Sequence, residues 1–273
     1  MTTVRVVLAV ATHHGWPVAQ MDVKSAFLND ILEEEVYVQQ PQGVEIKGKE
    51  KLVCKLKKAL YGLKQAPRAW YSRIDEYLTK NGFMRSKNDS NLYVFYENTD
   101  LLLIIVYVDD VVITGSCTSL IEHIKKCLSM EFDMKDLGQL HYCLGIEVWR
   151  QENSMFLTQY KYVKDVLEKF EMADSKVIHT PMELNEKLTS HVEEKKVDGT
   201  GYRKLVGSLI YATITRPDIS YAVSALSQYM ADPKVSHMKA AKRLLRYMKG
   251  TYNYGLEFVA SCDLLLAGYC DSD

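Results

Sequence analysis

Apolar and polar residues at the start of the chain repeat with two periods, first one typical of helices and then one typical of strands. Apolar side chains at helical spacing predict a helix over residues 3–14, which Gly15 and Pro17 would end. Alternation then predicts a strand over residues 17–23, and Asp22 lies at its end. The first candidate for a chemically active side chain is therefore an acid at a strand end.

The middle of the chain predicts short helices between strands. A helical turn is expected over residues 25–29, and residues 66–81 show a helical pattern with Pro67 in the first turn. The segments with strand character are 36–39, 51–56, 92–96, 101–108 and 111–114. The first two of these segments flank a loop rich in glycine and proline, which predicts a hairpin.

The second half of the chain is richer in helical patterns. A hairpin-like region contains Leu144 and Gly145, and a polar loop over residues 185–200 is the best internal boundary. The predicted helices are 119–130, 160–170 and several within 202–249, and the late strands are 155–157, 254–258 and 264–269. These patterns together predict an α+β fold.

Composition narrows the class of protein without identifying it. A chain of 273 residues with 47% hydrophobic residues can bury a sizeable core. The 34 basic and 35 acidic residues give no overall basic signature, so any nucleic-acid binding must use local patches. Six scattered cysteines suggest a reducing, intracellular compartment, cytoplasmic or nuclear. The longest apolar run, 101–108, is too short to span a bilayer, so no membrane partner is expected.

Two adjacent carboxylates, Asp109 and Asp110, stand at a tight turn between the apolar runs 101–106 and 111–113. An ordinary hairpin turn explains them, because Asp is a favoured turn residue. Crowded carboxylates in a buried hairpin also favour binding of divalent cations. Asp22 could bring a third carboxylate to the same ions, although taken alone an acid in this position is more often a helix N-terminal acid than a metal ligand.

Longer motifs resemble one known family over nearly the whole chain. Residues 20–29, 58–70 and 107–110 are similar, in order and spacing, to three successive motifs of copia-type LTR retrotransposon reverse transcriptases. The resemblance continues through residues 134–138, 144–147, 205–209 and 215–219. It implies an RNA-directed DNA polymerase with a right-hand polymerase fold. The implied regions are a palm over 1–150, a mainly helical thumb and connection region over 151–250, and a truncated RNase H start over 251–273.

The resemblance also implies the roles of individual residues. Asp22, Asp109 and Asp110 match the catalytic carboxylates, which would bind two Mg²⁺ ions, with Mn²⁺ as an alternative. The residues that match the nucleotide-binding set are Phe27, Tyr61, Gly62, Lys64, Gln65 and Tyr107. Phe27 matches an aromatic gate that excludes a ribose 2′-hydroxyl, although a core phenylalanine is the structural alternative.

Two further matches lie near the end of the resemblance. Leu144 and Gly145 resemble the primer grip, for which a plain β-turn is the alternative. Asp271 matches the first catalytic acid of an RNase H domain. Complete enzymes of the family extend beyond both ends of this chain. We therefore expect little or no polymerase activity and no RNase H activity from the chain alone.

The implied partners are an RNA template, a DNA primer, deoxynucleoside triphosphates and other parts of a Pol polyprotein. Two basic stretches could contact phosphates, and a solvated charged face is the alternative for both. They consist of Lys47, Lys49, Lys51, Lys55, Lys57 and Lys58, and of Lys239, Lys242, Arg243, Arg246 and Lys249. Two other functions stay open: a non-catalytic nucleic-acid-binding retroelement remnant, and a Mg²⁺-dependent nucleotidyltransferase on a different palm.

Overall fold

The structure is a computed structural model that describes residues 1–29, 32, 34–183, 188–189, 194–260, 267–268 and 270. Two compact units are built on Thr2–Leu140 and on His141–Ala260. Each unit has its own sheet and its own apolar core. Within the described residues, no helix combines the length and the apolar character needed to cross a bilayer.

The first unit mixes helices with antiparallel strands. Its helices are α1 (Thr2–His13), a short 3-10 helix (Ala26–Asn29), α2 (Ala66–Lys80) and α3 (Thr118–Glu131). Its strands are β1 (Val18–Val23), β2 (Tyr37–Gln39), β3 (Val53–Lys55), β4 (Met84–Arg85), β5 (Leu92–Glu97), β6 (Asp100–Tyr107), β7 (Asp110–Gly115) and β8 (Met134–Gln139). Strands β2 and β3 pair as a separate hairpin.

The main sheet of the first unit has the strand order β4-β5-β6-β7-β1-β8, with all neighbours antiparallel. One face packs against α2 and α3, where Trp70 and Ile121 join Met21 and Ile113 in a single buried cluster. Because successive side chains of a strand point to opposite faces, the even-numbered residues of β1 and β7 face away from these helices. That opposite face carries Asp22.

The second unit has a four-stranded sheet in the order β12-β11-β10-β9. Its strands are β9 (Tyr142–Cys143), β10 (Ile146–Arg150), β11 (Ser154–Thr158) and β12 (Gly255–Val259). Its helices are α4 (Tyr160–Lys169), α5 (Gly199–Ala212), a short 3-10 helix (Pro217–Ile219), α6 (Ser220–Ser227) and α7 (Val235–Gly250). Their apolar faces form one core, and Asp198 caps α5 by accepting hydrogen bonds from Thr200 N and Gly201 N.

The α+β class predicted from the sequence is confirmed, as are the main helices and strands β5, β6 and β7. Strands β4 and β8 were not predicted. β4 is only 2 residues long, and five of the six β8 residues are exposed, so neither strand shows an alternating pattern. The late strand around residues 254–258 is also present as β12, but most of the predicted strand 264–269 lies outside the described residues.

The division between the units comes after Leu140 rather than near residue 150. The cause is strand pairing: β9 pairs with β10, and β10 pairs with β11, so the hairpin belongs with the later residues. Pairing also affects the far end of the chain. β12 pairs with β11 and completes the sheet of the second unit, rather than beginning a separate sheet at residue 251.

Candidate active site

The turn between β6 and β7 is closed by the pair Tyr107 and Asp110, with Val108 and Asp109 at its tip. Val108 has a φ of 55°, a conformation that a β-branched residue rarely adopts. The Val108 carbonyl accepts a hydrogen bond of 2.6 Å from Nε1 of Trp70. Trp70 is only 2% exposed in α2, so the helix anchors the strained turn. Backbone strain of this kind persists where the surroundings enforce it.

Strand pairing brings the first predicted acid to this turn. In the antiparallel register of β1 and β7, Asp22 lies directly opposite Asp110. The pairing continues past the strand end, because the Val23 N–H donates to the Asp109 carbonyl at 2.8 Å. The alternative of an isolated helix N-terminal acid does not describe Asp22, which lies within β1 and is partly exposed. The three predicted acids therefore meet at one end of the sheet.

The pKa of Asp110 reflects its burial and its proximity to Asp109 and Asp22. Burial raises the pKa of the Asp110 carboxyl above its ordinary value. A hydrogen bond of 2.8 Å from Nε2 of Gln20 to Oδ1 of Asp110 opposes that rise, while the charges of Asp109 and Asp22 add to it. Carboxylates that repel one another in this way are favoured sites for a cation, because a positive charge relieves the repulsion.

The chemistry of these side chains suits a hard divalent cation. Mg²⁺ prefers oxygen ligands, and it commonly takes one or two carboxylates together with water and substrate phosphates. In the part of the chain that the structure describes, no group of three His, Cys, Asp or Glu side chains is arranged to hold an ion by itself, the three aspartates included. The acids therefore fit a cation that is shared with substrate better than a closed structural metal site.

Three of the predicted nucleotide-binding residues cluster near the turn. The rings of Phe27 and Tyr61 lie 4.7 Å apart between centroids. Phe27 and Tyr107 both line a cavity of about 170 Å³. The other residues that line it are Pro67, Trp70, Tyr71, Asn91, Val106 and Val108. Phe27 also packs against the core of the first unit, so its structural alternative holds in part.

The remaining predicted nucleotide-binding residues lie in the segment that leads into α2. Gly62 has a φ of 91°, a backbone conformation that glycine adopts readily, and a Cβ there would meet no neighbour. Lys64 is exposed, and Gln65 precedes the helix as its N-cap without a side-chain capping bond. These residues do not line the cavity, and their nucleotide-binding role stays a prediction.

The predicted primer grip lies in the second unit. Leu144 and Gly145 form the turn between β9 and β10, both with positive φ, at 50° and 75°. The Tyr211 hydroxyl of α5 donates a hydrogen bond to the Leu144 carbonyl. The β-turn of the alternative reading is therefore present, while a role in holding a primer stays a prediction. Asp271, the predicted RNase H acid, lies outside the described residues.

The basic side chains predicted on α7 divide into two groups. Lys239 and Lys242 are exposed, whereas the other three cations donate hydrogen bonds to the segment 175–183. The distances are 2.9 Å from Arg243 to Glu183, 2.8 Å from Arg246 to the Lys176 carbonyl and 2.7 Å from Lys249 to the Ser175 carbonyl. Three of the five predicted α7 cations therefore have hydrogen-bond partners within the chain. The six lysines predicted around the β2–β3 hairpin are all exposed.

Three residues near the acids were missed as site residues. Gln20 and Trp70 contact the turn as described above, and Lys135 of β8 lies directly opposite Asp22 on the far side of β1. The position of Gln20 two residues before Asp22 places both on one strand face, a signal that the sequence does contain. No local signal pairs Trp70 with Val108 or Lys135 with Asp22, because both contacts depend on tertiary packing.

Comparison with known proteins agrees with this geometry. A family profile described as reverse transcriptase (RNA-dependent DNA polymerase) matches residues 1–184. The Pol polyproteins of transposon RE2 of Arabidopsis thaliana and of transposon TNT 1-94 of Nicotiana tabacum are 45% and 41% identical over 100% of this chain. The chain spans only 19% and 21% of their lengths.

A shorter relative is covered more completely. A putative transposon Ty5-1 protein of Saccharomyces cerevisiae is 34% identical over 92% of this chain and 82% of its own length. The profile covers residues 2–140 of the first unit, including all three acids, and the start of the second unit, and the relatives extend the similarity through the rest of the second unit. The chain therefore belongs to the reverse transcriptase family, in the branch found in the Pol polyproteins of copia-type retrotransposons.

Proposed function

We propose that this chain carries the polymerase centre of a reverse transcriptase, which extends a DNA primer on an RNA template, only slowly when the chain acts alone. The observation that carries the proposal is the pairing of Asp22 with Asp110, beside a turn that contains Asp109. In a member of the reverse transcriptase family, acids so placed are the natural ligands for catalytic metal ions. The substrates would be a primed template and deoxynucleoside triphosphates.

Two Mg²⁺ ions, when bound, would activate the primer 3′-hydroxyl and stabilise the departing pyrophosphate. Asp22 and Asp109 are the proposed principal ligands, with Asp110 beside them. The side chains themselves hold negative charge at the strand ends before substrate arrives. Trp70 keeps the turn in its strained conformation, so the position of Asp109 is set by packing rather than by the turn sequence.

Phe27 is the proposed gate against ribonucleotides. Its ring contacts both the core of the first unit and the ring of Tyr61. A ring held by two sets of contacts cannot move aside cheaply for an extra hydroxyl, which is what steric selection requires. Tyr107, which shares the cavity with Phe27, would contribute to the same wall.

The larger architecture follows the same proposal. The six-stranded sheet with α2 and α3 corresponds to a palm, since it carries the acids on the face opposite to the helices. The helical second unit corresponds to the thumb and connection region. Other segments of a Pol polyprotein are proposed partners, because the chain spans 19% of its relative from transposon RE2.

The test is primer extension under single-turnover conditions, with the chain in excess over a labelled DNA primer on an RNA template and Mg²⁺ present. Changing Asp109 to asparagine should slow extension at least roughly 100-fold, judged from the value of one charged or hydrogen-bonding group in a transition state. Asp100→Asn is the matched control, because Asp100 begins β6, the strand that leads into the turn, at the end far from Asp109. It should extend primers at the parent rate.

Three outcomes would count against the proposal. Measurable primer extension at equal rates by the parent chain and Asp109→Asn would show that Asp109 takes no part in the chemistry. Salt-sensitive binding of an RNA–DNA hybrid without incorporation would identify a non-catalytic nucleic-acid binder. Incorporation that does not depend on the template would identify a different class of nucleotidyltransferase.

A further inference from the structure

Gln20 is an unusual residue for its position in β1. It is 6% exposed and lies between β7 and β8, opposite Val112 on one side and Gly138 on the other. A buried amide costs about 1–3 kcal/mol when its hydrogen bonds are unmade, so it persists in a sheet only where a partner is present. The partner here is Asp110, whose Oδ1 accepts from Nε2 of Gln20 at 2.8 Å.

The geometry of this contact follows from the strand pairing. Gln20 and Asp22 are two residues apart in β1 and share a face of the sheet. Asp110 lies directly opposite Asp22 and therefore diagonally opposite Gln20, within reach of its long side chain. Gly138 offers no side chain on the other flank. The amide is thus directed at the carboxylate rather than at β8.

The contact determines how the Asp110 carboxylate is oriented. An ionised carboxylate only accepts hydrogen bonds, so the donor in this pair must be the Gln20 amide. Asp109 and Asp22 repel the carboxylate, and an aspartate side chain, which has two free torsions, would rotate away from them. A donor fixed on Oδ1 opposes that rotation and leaves the second carboxylate oxygen available to a cation.

We propose that Gln20 is a positioning residue, which holds the Asp110 carboxylate in the orientation needed to bind a divalent cation. The inference rests on the proposed polymerase function. Partners that orient a ligand of a metal ion are commonly worth 10–100-fold in metal affinity. Gln20 would therefore act on metal binding through Asp110, and not by touching substrate.

The experiment titrates Mn²⁺ alone into the full chain and counts free Mn²⁺ by electron paramagnetic resonance. Gln20→Met keeps the length and burial of the side chain but lacks the donor, and we expect about a tenfold or greater rise in the apparent Kd. Thr114→Val is the matched control. It removes another partly buried hydrogen bond of β7, from the Thr114 hydroxyl to the carbonyl of Pro17 just before β1, away from the acids.

A double-mutant cycle separates positioning from a general structural effect. If Gln20 acts through Asp110, Gln20→Met should change the Kd little further when Asp110→Asn is already present. Thermal unfolding followed by circular dichroism checks the fold of each variant. If Gln20→Met does not fold, Gln20→Asn replaces it, because a side chain shorter by one methylene retains polarity but cannot reach Oδ1.

The outcomes separate this inference from the function on which it rests. A Kd for Gln20→Met within about twofold of the parent value, or an undiminished effect in the Asp110→Asn background, overturns the positioning role alone. A parent chain that neither binds Mn²⁺ nor extends primers overturns the proposed function and this inference with it. Weakened Mn²⁺ binding in Gln20→Met and unchanged binding in Thr114→Val support it.

Discussion

Changing Asp218 to alanine should destabilise the second unit much more than the same change at an exposed aspartate does. Its partner Arg216 is 1% exposed, although it is a charged residue. The guanidinium binds both carboxylate oxygens of Asp218, at 2.9 and 2.7 Å. It also donates to the carbonyl and hydroxyl oxygens of Thr251, at 2.9 and 2.7 Å. The motif 215–219, to which the family resemblance assigned no role, thus ties the start of α6 to the end of α7.

The expected magnitude follows from what the change leaves behind. Arginine cannot lose its proton, so the alanine variant would bury an unpaired charge. Removing one partner of a buried pair costs about 3–5 kcal/mol. The Asp218 side chain is 33% exposed, so water screens part of the interaction and the lower end applies. A loss of about 3 kcal/mol corresponds to roughly 100-fold in an opening equilibrium.

Hydrogen exchange measured by mass spectrometry can resolve this effect, because it reports each unit separately. Amides of α6 and α7 should lose about 100-fold in protection, while amides of β6 and β7 in the first unit should not change. Asp165→Ala, which removes an exposed aspartate of α4, is the control. If Asp218→Ala reduces protection no more than this control, the reasoning about the buried guanidinium is refuted.

Three further predictions concern the stability of the second unit at low pH, the turn between β6 and β7, and the β9–β10 hairpin. Burial alone would raise the pKa of Asp218, but its arginine partner and a neighbouring tyrosine hydroxyl hold that pKa below its ordinary value. The stabilisation that ionised Asp218 contributes should therefore be complete above its pKa in the unfolded chain, about 3.9, and should disappear as the pH falls through its lower pKa in the folded protein. Acid unfolding of the second unit measures this loss. Trp70→Phe removes the donor to Val108 and should slow primer extension about tenfold, with protection of the β6 interior unchanged. Gly145→Ala should destabilise the hairpin by about 1–3 kcal/mol, because φ is 75° and a Cβ would collide with the Tyr211 hydroxyl; an unchanged melting curve would contradict this.

The sequence predicted the elements whose signals are local. The apolar runs on either side of Asp109 and Asp110 identified β6, β7 and the tight turn, and the resemblance identified Asp22 as their partner. Period-two alternation and turn chemistry act between near neighbours, so they can be read directly from the chain. The same reasoning placed helix α2 correctly, with its proline in the first turn.

Tertiary structure alone decided which strands and side chains meet. β8 is mostly exposed and polar, so nothing local marks it as the strand that flanks Asp22. The contact of Trp70 with Val108 joins a helix to a turn, and the contact of Gln20 with Asp110 joins two strands that are far apart in sequence. Such contacts form only when the whole sheet assembles. Each contact closes a long loop at a cost in chain entropy, and only many contacts formed together offset that cost.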